Sequence, residues 1–105
     1  MLKGIILNGG YSSIRGLGRD KIFAPSNVVV IVDDDKREIY VWVGPQANVK
    51  DKFMAARLVN GLRWKLYGGA APVIQKNEVV EELLGNIPGV DEDISEEVIK
   101  EILGI

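Results

Sequence analysis

Two apolar runs dominate the chain, Val28-Val29-Val30-Ile31-Val32 and Ile39-Tyr40-Val41-Trp42-Val43. Their β-branched and aromatic content predicts strands, and each is apolar at odd and even positions alike. A strand with two apolar faces needs cover above and below, which predicts a sheet sandwiched between helices and not a sheet with one wet side. A further strand is expected over Leu2 to Leu7, ending at the Asn8-Gly9-Gly10 turn. The mixed segment from Tyr11 to Phe23 is broken by Gly16 and Gly18, and Ala24-Pro25-Ser26-Asn27 reads as a turn.

From Val49 to Tyr67 the period changes to helical. Asn48 is placed to cap this helix, Asp51 stands near its positive end, Arg63 and Lys65 near its negative end, and Gly68-Gly69 stops it. Ala55, Leu58, Leu62 and Leu66 recur at helical spacing and are expected to face the sheet. Phe53, Arg57, Asn60 and Trp64 then form a second stripe with two aromatics. Ala71 to Gln75 reads as a short strand, Asn77 as the cap of a helix over 78–84, and Asn86-Ile87-Pro88-Gly89 as a chain break. A last helix is expected within 86–105, with Asp93 and Glu96 as a capping box and an apolar stripe of Val98, Ile99, Ile102 and Leu103.

Composition narrows the function. The 105 residues, 47% hydrophobic and 27% charged, suit one domain over 1–105. No run reaches the roughly 18 apolar residues of a membrane span, and the first residues lack a full signal-peptide pattern, so a cytoplasmic location is expected. With no cysteine and no histidine, thiolate nucleophiles, thiol zinc sites and the commonest general base are missing, and an enzyme is not expected. The glycine pairs match no phosphate loop, Asp33-Asp34-Asp35 lacks the spaced ligands of a calcium loop, and a pI of about 5.1 argues against nucleic acid. Charge is uneven: residues 50–76 hold six basic side chains against one acid, and residues 78–101 nine acids against Lys100. That pattern suits either an acidic partner for the long helix or internal charge balance.

The succession of Val28 to Asp33, then Ile39-Tyr40-Val41-Trp42-Val43-Gly44, then a helix entered at Lys50-Asp51-Lys52 with Ala55-Ala56 in its second turn, resembles the gelsolin-type repeat over roughly residues 26–76. The resemblance implies a gelsolin/cofilin-like α/β sandwich (α+β), in which a mixed sheet of about five strands carries a long helix on one face and shorter helices on the other. It also implies actin, or an actin-like protein, as partner, bound through the exposed stripe of the long helix to sequester monomers or to cap or regulate filaments. By position that stripe is Phe53, Arg57, Gly61 and Trp64, with Asn60 beside them. Gly61 disfavours the helix interior by about 1 kcal/mol, which close approach of a partner would explain. Two fates are open for the stripe: exposure for docking, or cover by the carboxy-terminal helix or the loop around Arg15. The alternative function is an interaction or assembly module of the same fold, homodimeric through this stripe or a sheet edge, that does not bind actin. The resemblance further implies a calcium position at Asp51, Asn27 and the Ser26 carbonyl, weak because it holds one firm carboxylate.

Overall fold

The computed structural model describes residues 1–85 and 89–105. The break expected at Asn86-Ile87-Pro88 lies outside the described residues. The elements run β1 (Leu2–Leu7), β2 (Tyr11–Ser12), α1 (Arg19–Ile22), β3 (Val28–Asp33), β4 (Glu38–Val43), α2 (Val49–Tyr67), β5 (Val73–Ile74), α3 (Asn77–Leu83), β6 (Glu92–Asp93) and α4 (Glu96–Leu103).

The strands form a mixed six-stranded sheet in the order β2-β1-β3-β4-β5, with β6 parallel to β1. β3 is central and antiparallel to both β1 and β4, and every one of its residues is buried. Its alternate side chains supply two cores. Val28, Val30 and Val32 join Ile5, Leu7, Ile39 and Val41 under α2 and α4. Val29 and Ile31 join Ile6, Tyr40, Trp42, Val80 and Leu84 on the opposite face, beneath α1 and α3. The sandwich inferred from two-sided strands is thus present, but the last helix lies beside the long helix and not across the sheet from it. Its buried residues Ile99 and Leu103 belong to the α2 core.

Several local details differ from the sequence reading. Asn77 does not cap α3, which starts after Lys76 without a side-chain cap. Its amide accepts from Val43 N at 3.0 Å and donates to Val43 O at 2.8 Å, substituting for a strand neighbour where β5 has ended. The capping box at Asp93 and Glu96 does not form either, since α4 starts after Ser95. Asp93 accepts from Ser13 Oγ at 2.7 Å, Ile14 N at 2.9 Å and Arg15 N at 3.2 Å, and Glu96 accepts from Tyr11 Oη at 3.0 Å. The last two of the Asp93 bonds satisfy the backbone N–H groups of Ile14 and Arg15 in the segment after β2. Burial pushes the Asp93 carboxyl up, but the Ser13, Ile14 and Arg15 donors outweigh it and hold the group below its ordinary value.

The glycine that ends the Trp42-Val43-Gly44 motif has a packing cause. A Cβ there would stand 2.2 Å from Pro25 O, because the turn before β3 crosses directly over it. The same crossing carries the bonds from Gly44 N to Asn27 O and from Gln46 N to Pro25 O.

Candidate partner-binding surface

α2 is held at both ends. Asn48 Oδ1 accepts from Asp51 N at 2.8 Å, the N-cap expected from sequence. Gly68, in the left-handed region at φ 60°, closes the other end through N–H bonds of Gly68 to Trp64 O and Gly69 to Arg63 O. Tyr67 Oη donates to Asp34 Oδ1 at 2.9 Å, tying the last turn to the β3–β4 connection. Burial and this carboxylate push the phenol up to about 12.

Ala55, Leu58, Val59 and Leu62 are the apolar residues of α2 buried against the sheet. Leu66, expected among them, is 45% exposed. It stands in the last turn, at the rim of a small cleft shared with Lys3, Val32 and Val98, where the core gives out. Val59, which the sequence spacing did not include, is buried in the core.

The opposite side of the helix is open. Phe53 is 67% and Trp64 65% exposed, so neither α4 nor the loop around Arg15 covers them. At 100° per residue Phe53, Arg57, Asn60 and Trp64 fall within about 60° of one another, and Phe53 and Trp64 stand about 16 Å apart along the axis. Val49, 64% exposed, continues the line by one turn towards the amino end. The sequence reading missed it, although its spacing of four residues from Phe53 was a sufficient signal.

α4 forms one bank of a groove beside this line. Arg57, Asn60, Gly61, Trp64 and Lys65 face Glu101 and Ile102 across an open space of about 580 Å³. Gly61 belongs to this packing. A Cβ on it would stand 2.4 Å from Ile102 Cγ2, so the glycine admits the side chain of α4 and its cause lies within the molecule. Arg57 Nη2 donates to Leu103 O at 3.3 Å, and Lys65 Nζ pairs with Glu101 at 2.9 Å, so both cations brace α4. Trp64 leans over the helix terminus, where a Cβ on Gly69 would lie 2.8 Å from its ring. That contact orients the indole while leaving most of it in solvent.

The residues assigned to calcium are engaged otherwise. Asp51, 2% exposed, accepts Gly9 N at 3.0 and 3.2 Å on its two oxygens. Asn27 Nδ2 donates to Lys21 O and Ile22 O at 3.0 Å, which fixes the amide so that Oδ1 accepts from Asn8 Nδ2 at 3.1 Å. Ser26 is exposed in the preceding turn. Calcium requires about six to eight oxygen ligands turned inward, whereas here N–H donors face the acceptors, and the donor set does not fit the ion. Among the described residues no three His, Cys, Asp or Glu side chains are placed to share a metal ion.

No family model and no curated protein matches the sequence. Among solved structures, the crystal structure of the Thorarchaeota ProGel/rabbit actin complex holds a chain similar to this one, at 20% identity and a TM-score of 0.64. The match covers 81% of this chain and 100% of that chain. The fold is gelsolin-like. No helix among the described residues is long and apolar enough to cross a membrane.

Proposed function

We propose that this gelsolin-like chain binds actin or an actin-like protein through the open face of α2, and so withholds monomers from filaments or caps filament ends. The observation that carries the reading is the exposure of Phe53 and Trp64 on one line of a helix whose other face packs into the core through Ala55, Leu58, Val59 and Leu62. Large aromatics left in water along a rigid helix are the side chains most often found at the centre of protein interfaces. Lys50 and Lys52 stand beside that line and are exposed, which favours a cleft with an apolar floor and acidic edges. The fold likeness to a chain from an actin complex supports actin as the protein that offers such a cleft. Arg57 and Asn60 add polar contacts beside the aromatics, while Gly61 contributes by letting α4 close up to the groove.

Pelleting of actin in the presence of increasing protein tests this. Sequestration predicts that actin left in the supernatant rises in proportion to added protein, and capping predicts slowed end growth at a small molar fraction. Failure to bind either actin or the actin-like protein of the source organism contradicts the proposal. Self-association lost on substituting Phe53 and Trp64 would assign the same face to the homodimeric assembly role instead.

A further inference from the structure

We infer that the Asn8-Gly9 turn occupies the place of a cation at the start of α2, so that the helix is anchored by N–H donors and its anchorage does not respond to calcium. The turn leaves β1 at Leu7 and reaches over the amino end of α2. There Gly9 N–H points at both oxygens of Asp51, and Asn8 Nδ2 points at Asn27 Oδ1. Gly9 adopts φ 69°, which glycine accepts without strain and which aims its N–H at the carboxylate. Asn27 cannot rotate to release its oxygen, because its nitrogen already serves the Lys21 and Ile22 carbonyls.

The two acceptors that a cation would share, Asp51 and Asn27, thus each receive a neutral donor from consecutive residues of one turn. Those donors put partial positive charge where a metal would put a full one, and an entering ion would meet N–H groups head on. The arrangement also gives the buried Asp51 carboxylate a hydrogen-bond partner in addition to the helix dipole. It concerns the anchoring of α2 and holds whether or not α2 binds actin.

Thermal unfolding of the whole protein, followed in 1 mM calcium chloride and in EGTA, tests the inference without any partner. A site with a Kd of about 10 µM would raise Tm by about 10 °C or more at that concentration. The expected result is the same Tm in both conditions for the wild type. Asp51→Ala is expected to lower Tm by roughly 4 to 8 °C, equally in calcium and EGTA. Asn8→Asp removes the donor to Asn27 Oδ1 and leaves Gly9 N–H on Asp51 in place; it is expected to melt lower than wild type by the same amount in calcium and in EGTA. A calcium-dependent rise in the wild type that Asp51→Ala abolishes would overturn the inference, as would an Asn8→Asp variant that melts with the wild type, since the turn would then not be anchoring the helix.

Discussion

Gly61 is the residue where two physical effects pull in opposite directions. Alanine there adds about 1 kcal/mol of helix propensity, but its Cβ falls 2.4 Å from Ile102 Cγ2, and overpacking of that kind costs about 1 to 3 kcal/mol. The overlapping atom is a β-branched methyl, which has no remote torsion to swing away. Gly61→Ala is therefore expected to destabilise the protein by about 1 kcal/mol, and adding Ile102→Ala to remove the obstruction should make the pair less harmful than the sum of the two single changes, measurable by urea denaturation. Asp93 carries a pH dependence. Its carboxyl is held below its ordinary value of 3.8 in the folded protein, so its contribution is present above that value and is lost as the pH falls through the lower folded value. Asp93→Ala should cost about 1 to 3 kcal/mol at neutral pH, and the deficit should shrink in titrations carried below pH 3.8. Neither role could be read from the sequence. A mid-helix glycine signals close approach without naming what approaches, and an acid three residues before Glu96 looks like half of a capping box until the backbone N–H groups of Ile14 and Arg15 are brought beside it.

At the scale of elements, strength of pattern decided what was legible. β3, β4 and α2 were readable because several independent signals agree there: an unbroken β-branched run, an aromatic alternation, and a helical period with Asn48 and Gly68 at its ends. The two-residue strands β2 and β6 and the four-residue α1 carry too few positions for any period to show; the strands pair with β1, and α1 supplies Ile22 to the core around Val29 and Ile31. The exposed stripe of α2 was legible as the complement of its buried face, apart from Val49. Because Phe53 and Trp64 keep about two thirds of their surface in water, Phe53→Ala and Trp64→Ala should each change stability by no more than about 0.5 to 1 kcal/mol, as read from chemical denaturation. A core truncation such as Leu62→Ala should cost about 2 to 5 kcal/mol by the same measurement, which separates the two faces of one helix.

Over the whole molecule, the layered arrangement followed from β3 being apolar on both sides, and the placement of α4 did not. An amphipathic helix announces that it needs a sheet or a helix to cover, but not which face of the sheet is free. Here α2 and α4 together cover one face, and the groove between them belongs to neither sequence pattern alone. The proposed role requires that α2, tied to α4 by Arg57 and Lys65, present its aromatic line to actin or an actin-like protein. The most direct test is the affinity of the wild type and of the double variant Phe53→Ala/Trp64→Ala for monomeric actin, with the stability of both proteins measured in parallel. The expected variant folds as stably as the wild type to within about 1 to 2 kcal/mol and binds at least about 30-fold more weakly, the loss that follows removal of an interface hot spot. A folded variant that binds actin as tightly as the wild type would contradict the proposed role.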